Sequence, residues 1–262
     1  MKYVCIAALI FIILLILAAV YGYVFMEKIL FPSPHTGRQT GNMVLKSQHA
    51  ELDALFLRGN PDKEVILYSH GNGEYLAKIR LFLEKFNQRG YSVMAYDYAG
   101  YGGSTGKAGE LQAYSDIESA YSYLTGTMQI SPEKIVVMGF SVGSGPSSYL
   151  ASKYPVKALI LAAPFASAIQ VILPFSLPFD RFPNAGRLSK NSPPLMIFHG
   201  DNDWIVPFRN GYKIHKYAAA PINKFHRINA SGHNDLFANL DEKLFAELQT
   251  FLNEVDQYKL RK

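Results

Sequence analysis

A serine between two glycines stands at a point in the chain where it can serve as a nucleophile. Gly139-Phe140-Ser141-Val142-Gly143 directly follows the apolar run at residues 134–138 and directly precedes a helical stretch. A sharp strand-to-helix turn strains the backbone of its serine, and flanking side chains would collide there. Glycine and serine also make ordinary turns, so it is the placement of the pattern that indicates Ser141 as a nucleophile.

A serine hydroxyl needs a general base to take its proton and a third group to orient that base. His233 follows the last predicted strand, in a loop that can reach back over the edge of the sheet. Asp203 follows the predicted strand at 195–199, where a carboxylate can orient the histidine. Asp201 is the alternative acid, although an aspartate at its position commonly forms turn hydrogen bonds. The sequence thus predicts a Ser141–His233–Asp203 triad.

Two backbone N–H groups are expected to stabilise the oxyanion that forms when a serine attacks a carbonyl. One is the N–H of Val142, the residue after the nucleophile. The other is expected from the glycine-rich run at residues 69–73, and we assign it to Asn72. His70 then braces this loop and is not a second base, whereas a plain glycine-rich turn is the alternative interpretation.

Apolar runs of strand length alternate with longer amphipathic stretches between residues 65 and 255. This alternation favours an α/β fold with a mostly parallel twisted sheet and helices on both faces. In one helix, Leu76, Ile79, Leu83 and Phe86 recur at helical spacing and predict a buried stripe. The predicted strands are 65–69, 92–96, 135–140, 158–162, 195–199 and 225–228, and the predicted helices are 76–89, 110–124, 144–153, 208–217 and 243–255.

Composition excludes several classes of function. The formal net charge is +5, but the basic residues are scattered, so we expect no nucleic-acid partner. The single cysteine, Cys5, lies in the apolar N-terminus, which leaves the folded domain without a disulfide or a thiol nucleophile. We found no cluster with metal-ligand spacing and no dinucleotide-binding pattern, so neither a metal nor another cofactor is expected.

The N-terminus is an apolar segment, since residues 4–26 carry no charge. As a helix with a rise of about 1.5 Å per residue, it would be long enough for a hydrocarbon core of about 30 Å. We predict a transmembrane anchor at 1–27, a linker at 28–48 and a catalytic domain at 49–262. A cleaved signal peptide is the alternative. The flanking charges favour a cytoplasmic N-terminus and a catalytic domain on the opposite side of the membrane.

Taken together, these segments resemble the α/β-hydrolase superfamily. Within it, the sequence is similar to the membrane-associated serine hydrolases that include the α/β-hydrolase-domain protein depalmitoylases and their anchored bacterial and fungal relatives. Those depalmitoylases reach membranes through a cysteine-rich, palmitoylated N-terminus, whereas this chain has an apolar segment with one cysteine. The segments that carry the resemblance are 69–72, 96–104, 139–146, 179–184, 199–207 and 232–235.

The resemblance implies an α/β-hydrolase fold and a serine hydrolase that cleaves carboxylic esters or thioesters of lipids or acylated proteins. An acyltransferase on the same triad and a non-catalytic binding module are the alternatives, because fold alone does not prove function. Large apolar residues and prolines are frequent at positions 163–179, where this fold inserts its cap. They predict a short apolar cap and a preference for medium to long acyl chains, although core packing accounts for the same composition.

Overall fold

The computed structural model describes residues 2–177 and 180–261, while the side chains at 2, 4, 5, 8, 18, 19 and 23–27 lie outside this description. Pro178 and Phe179, part of the predicted cap, also lie outside it. The helices are α1 (Lys2–Leu30), α2 (Leu76–Gln88), α3 (Glu110–Ser122), α4 (Ser144–Lys153), α5 (Asn184–Leu188), α6 (Arg209–Tyr217) and α7 (Leu236–Leu260). The strands are β1 (Met43–Ser47), β2 (Ala50–Leu57), β3 (Val65–Ser69), β4 (Ser92–Tyr96), β5 (Ile135–Phe140), β6 (Ala158–Ala162), β7 (Leu195–Gly200) and β8 (Asn223–Ile228).

These strands form one eight-stranded sheet in the order β1-β2-β4-β3-β5-β6-β7-β8. The first two pairings, β1 with β2 and β2 with β4, are antiparallel, and the others are parallel. The predicted mostly parallel sheet is therefore confirmed. Because the carboxyl ends of parallel strands meet at one edge, the loops after β3, β5, β7 and β8 lie together.

The six strands predicted from apolar runs are confirmed to within two residues at either end. The sequence did not predict β1 and β2, and β1 lies within the segment expected to be a linker. In β2 the charged Asp53 is buried and accepts hydrogen bonds from the backbone of Thr40 and Gly41. A buried carboxylate breaks the apolar pattern by which a strand is recognised, and only its backbone partners make its burial favourable.

Helices cover both faces of the sheet because alternate strand residues point to opposite sides. On one face, Val136 and Met138 of β5 pack with α2 and α7. On the other, Ile135 and Val137 pack with α3, α4, α5 and α6. The predicted stripe of α2 is confirmed, since its buried residues are Leu76, Ile79, Leu83 and Phe86.

The predicted N-terminal anchor lies in α1, a helix of 29 residues. From Leu9 to Leu17 all the side chains are apolar, and each is between 47% and 63% exposed. Among the residues described with their side chains, no helix is long and apolar enough to cross a membrane. The transmembrane anchor is thus not shown and stays a prediction.

Candidate active site

The turn from β5 into α4 presents the predicted nucleophile at the carboxyl edge of the sheet. Ser141 adopts a left-handed backbone conformation with φ of 52°, which is unfavourable for a residue with a side chain. A Cβ on Gly139 would collide with the carbonyl oxygen of Gly143, and a Cβ on Gly143 with that of Ser69. The two glycines therefore permit the close approach of strand, helix and neighbouring loop that the turn requires.

Three predicted side chains lie in one hydrogen-bonded line. Nε2 of His233 is 2.8 Å from Oγ of Ser141, and its Nδ1 is 2.7 Å from Oδ2 of Asp203. A carboxylate only accepts hydrogen bonds, so Nδ1 carries the proton and Nε2 is left to accept from the serine hydroxyl. All three residues are buried, at 7% exposure or less. This arrangement can move a proton from the serine to the imidazole.

Asp203 is held as a carboxylate by its neighbours. Its other oxygen, Oδ1, accepts the backbone N–H groups of Ile205 and Val206 at 3.0 and 2.7 Å. Burial by itself would raise the pKa of Asp203, but its contacts with the rings of His199 and His233 and with the Val206 N–H outweigh it and hold the pKa well below its ordinary value. A negative charge is thus maintained beside the imidazole.

The alternative acid, Asp201, has partners other than the histidine ring. Its Oδ2 accepts from the guanidinium of Arg227 at 3.0 Å, and its Oδ1 accepts the backbone N–H of Ala230 at 2.8 Å. Ala230 lies in the loop that leads from β8 to His233. Asp201 therefore ties this loop to the end of β7, in keeping with the turn-forming role expected of it.

The glycine-rich loop after β3 lies beside Ser141. Its Asn72 and Val142, the residue after the serine, both line the cavity that contains the serine. The N–H of Gly71 is already bound, since it donates to Oε2 of Glu74 at 2.6 Å. Burial raises the pKa of Glu74, although the Gly71 N–H, His233 and Lys78 act in the opposite direction.

Two other buried polar residues, His70 and Asp97, brace this region, and the sequence analysis predicted that role for His70. His70 is fully buried, its Nδ1 lies 2.9 Å from the carbonyl of Gly71, and burial lowers its pKa to about 4. Asp97 accepts the backbone N–H groups of Leu76 and Gly103 at 2.7 and 3.3 Å. Burial raises the pKa of Asp97 to about 7, which those two N–H groups partly offset.

A cavity of about 480 Å³ opens over the serine, within the size range of small-molecule sites. Its walls are largely apolar and include Leu30, Pro32, Phe165, Val171 and Ile205. A larger cavity of about 840 Å³, lined by Arg58, Lys63 and Lys134, contains none of the predicted catalytic residues. Among the described residues, no group of three or more His, Cys, Asp or Glu side chains could hold a metal ion.

Sequence reasoning missed three contributors to this site. Glu74 and His199 stand next to predicted motifs, at the end of the glycine-rich run and near the end of β7, and a polar side chain at such a position was the available signal. The third is the end of α1, where Ile29 and Leu30 line the cavity and the carbonyl of Ile29 accepts from Nδ2 of Asn72 at 3.1 Å. No local pattern pairs residues so far apart in the chain.

Comparison with known proteins agrees with this architecture. The family model described as serine aminopeptidase, S33, matches residues 60–182. Human α/β-hydrolase domain-containing protein 17B is 34% identical over 199 residues, which cover 74% of this chain and 69% of that protein. Its Xenopus tropicalis counterpart is 33% identical over the same length and the same shares of the two chains.

Solved structures share the fold at low sequence identity. The esterase Pf2001 of Pyrococcus furiosus superposes with a TM-score of 0.66 and 17% identity, over 81% of this chain and 91% of the esterase. The human relative is 34% identical over 69% of its length, and this identity shows common ancestry as well as a shared fold. The chain belongs to the α/β-hydrolase superfamily, in the family that contains α/β-hydrolase domain-containing protein 17B, and is a serine hydrolase.

Proposed function

We propose that the protein hydrolyses carboxylic esters or thioesters through an acyl-enzyme on Ser141. The observation that carries this proposal is the hydrogen-bonded line of Ser141, His233 and Asp203, at 2.8 and 2.7 Å. His233 takes the hydroxyl proton as Oγ attacks the carbonyl carbon, and then returns it to the leaving alcohol or thiol. Water, deprotonated by the same imidazole, next attacks the acyl carbon; the bond from Oγ to that carbon breaks, the imidazolium returns the proton to Oγ, and the acid is released. Asp203 orients the ring and stabilises the imidazolium.

In this proposal the N–H groups of Val142 and Asn72 stabilise the negative oxygen of the tetrahedral intermediate. Both residues line the cavity at Ser141. The N–H of Gly71 is bound to Glu74 and is therefore not free to act. Asn72 is the next residue whose N–H can serve. Donors that are fixed before the reaction stabilise the developing charge without reorganisation.

The acyl group is proposed to be medium to long. Apolar residues dominate the cavity walls, and each buried methylene contributes about 0.8 kcal/mol. The monoacylglycerol lipase of Paleococcus ferrophilus shares the fold, with a TM-score of 0.61 and 16% identity over 78% of this chain and 99% of the lipase. Its name and the resemblance to protein depalmitoylases both favour esters of lipids or thioesters of acylated proteins.

We further propose that residues 4–26 hold the enzyme at a membrane. The support is their uncharged sequence and the exposed apolar side chains of α1 from Leu9 to Leu17. A surface of this composition is unfavourable in water. In the proposed orientation the N-terminus is cytoplasmic and the catalytic domain lies on the other side, which protease protection in sealed vesicles tests.

The test of the reaction uses Ser141→Ala, His233→Ala and the double variant, with p-nitrophenyl esters from acetyl to palmitoyl. We expect each single variant to abolish turnover, and the double variant to lose no more, because nucleophile and base act as a unit. Ser148→Ala is the matched control, since its buried hydroxyl has no hydrogen-bond partner among the residues that the structure describes. Fluorophosphonate labelling and turnover should both persist in that control.

Ser141→Ala with wild-type turnover and labelling would refute the assignment of the nucleophile. A kcat/KM that is greatest for acetyl and falls with each longer chain would refute the acyl preference. Adding acceptor alcohols and analysing the products separates hydrolysis from acyl transfer, since a transferase would form the new ester in preference to the free acid.

A further inference from the structure

Large apolar side chains are exposed around the mouth of the cavity. Five of them, which we call the apolar collar, are Ile29, Ile172, Phe175, Trp204 and Ile205, with exposures of 50%, 70%, 54%, 82% and 36%. Single exposed apolar residues are ordinary on a protein surface. These five belong to three chain segments, and each segment contributes a residue to the cavity wall: Ile29 and Ile205 themselves, and Val171 beside Ile172.

Each collar segment is held in place by hydrogen bonds. The loop with Trp204 and Ile205 is fixed by Asp203, whose Oδ1 accepts two of its N–H groups. The guanidinium of Arg209 donates to the carbonyl of Val171 at 2.9 Å and also lies 3.3 Å from that of Ile172. The collar is therefore a surface whose backbone is held by hydrogen bonds and whose apolar side chains point outward.

The collar includes one residue of α1. Ile29 is the second-last residue of that helix, and the carbonyl of Ile29 is bonded to Asn72 of the active-site loop. Farther along the helix, the run from Leu9 to Leu17 is apolar on every side and exposed. A helix that is apolar all round is suited to lipid, whereas a protein partner would cover one stripe. One helix therefore carries both this exposed apolar run and, at Ile29, part of the collar at the mouth of the cavity.

We infer that the apolar collar enters the interface of a lipid bilayer, so that the cavity opens into the membrane and receives its ester from the lipid side. Tryptophan is suited to this position because its ring is apolar and its N–H can bond at the headgroup level. The statement about substrate entry rests on the proposed ester hydrolysis. The statement about docking does not.

Trp204 is the only tryptophan of the chain, so its fluorescence reports on the collar alone. The full chain carrying Ser141→Ala is reconstituted into phosphatidylcholine vesicles, and into vesicles whose acyl chains are brominated. We expect blue-shifted emission in the first and a loss of emission in the second, because bromine quenches tryptophan on contact. Ser141→Ala prevents turnover, so the readout is independent of catalysis.

The matched control moves the tryptophan to the far end of α6, as Trp204→Phe with Tyr217→Trp. Tyr217 is exposed and ends that helix, which runs away from the site towards the amino end of β8. Its emission should match that in water and be unchanged by bromine. Equal Trp204 emission in both lipids, with full access to acrylamide, would overturn the inference. Emission that depends on protein concentration and not on bromine would instead assign the collar to a second copy.

Turnover tests the consequence for substrate entry. We expect Ile172→Asp to lower the rate on a long-chain ester embedded in vesicles relative to the rate on a water-soluble short ester. Tyr217→Asp introduces the same negative charge outside the collar and should leave that ratio unaltered. An equal fall of both rates with Ile172→Asp would overturn entry from the membrane. Inactivity of the wild-type enzyme on every ester would count against the proposed function and leave the fluorescence result standing.

Discussion

Ser141 is placed by its backbone at the cost of local strain. A left-handed conformation costs a residue with a side chain about 1 kcal/mol or more, and it persists because the surrounding contacts require it. Among them, the hydroxyl of Ser144 donates to the carbonyl of Ser141 at 2.6 Å. The strain aims Oγ at Nε2 of His233 and away from the core.

The two aspartates after β7 should differ clearly in how much activity is lost when each is replaced by asparagine. We expect Asp203→Asn to lower kcat by a factor on the order of 10⁴, because the amide can hold the imidazole in the wrong tautomer. Asp201→Asn should cost far less, since an exposed ion pair such as that with Arg227 contributes at most about 1 kcal/mol. Steady-state kinetics on a soluble ester measures both, and the reverse order would move the acid to Asp201.

Glu74 is expected to act as a positioning residue for the glycine-rich loop after β3, which contains the proposed oxyanion donor Asn72. Glu74→Leu leaves the N–H of Gly71 without its acceptor, which costs about 1–3 kcal/mol and should lower kcat/KM by about tenfold. Glu74→Gln keeps an acceptor oxygen and should lose much less. If both variants lost the same activity, the charge of Glu74 and not its hydrogen bond would be what matters.

The segment after α1 connects that helix to the catalytic domain. Phe31 is buried against Tyr98, Tyr101 and Phe182, with ring centroids 6.4, 6.4 and 6.0 Å away. Farther on, the backbone N–H of Thr36 donates to the carbonyl of Gly102 at 2.8 Å. The end of α1 is therefore packed as part of the wall of the cavity that contains Ser141.

Phe31→Ala should release this segment. Truncation of a buried phenylalanine costs about 3–5 kcal/mol, and here the loss falls on the aromatic contacts that hold α1. We expect a lower melting temperature in detergent and new proteolytic cleavage between residues 28 and 40. Phe175→Ala, at an exposed position, is the control and should change neither. Unchanged cleavage in Phe31→Ala would show that other contacts hold the segment.

For the whole molecule, buried titratable groups set how stability depends on pH. His70 has its pKa lowered from 6.5 to about 4, so stability is lost as pH falls through that window. Asp97 has its pKa raised from 3.8 to about 7, so stability is gained as pH falls from about 7. The two slopes oppose each other. Below about pH 4, the lowered pKa of Asp203 adds a further loss.

We therefore expect a melting temperature that changes little between about pH 6.5 and pH 4.5 and then falls. Variants should separate the two opposing effects of pH on stability. His70→Phe should become more stable as pH falls from 7, whereas Asp97→Asn should become less stable. Thermal unfolding of the full chain in detergent, followed by circular dichroism at each pH, measures this. If the melting temperatures of the two variants changed with pH in the same direction, the assignment of the opposing effects to His70 and Asp97 would be contradicted.

Sequence alone determined the strands of the parallel core and the order of the candidate catalytic residues. The strands of the parallel core were predicted nearly to the residue, because strands buried on both faces are continuous apolar runs. The turn around Ser141 and the loops with Asp203 and His233 were also predicted, since each follows a strand whose end is visible locally. The fold then brings these loops to one edge.

Only the tertiary structure decided which distant residues complete the site. The bonds of Glu74 to Gly71 and of Asn72 to Ile29, and the collar around the cavity, follow no periodic pattern. Strand β2 was missed because the buried Asp53 interrupts its apolar character until its backbone partners are known. Hydrophobic periodicity indicates on which face of its own helix or strand a residue lies. Contacts between segments far apart in the chain depend on how whole elements pack, and that packing is absent from any local window of sequence.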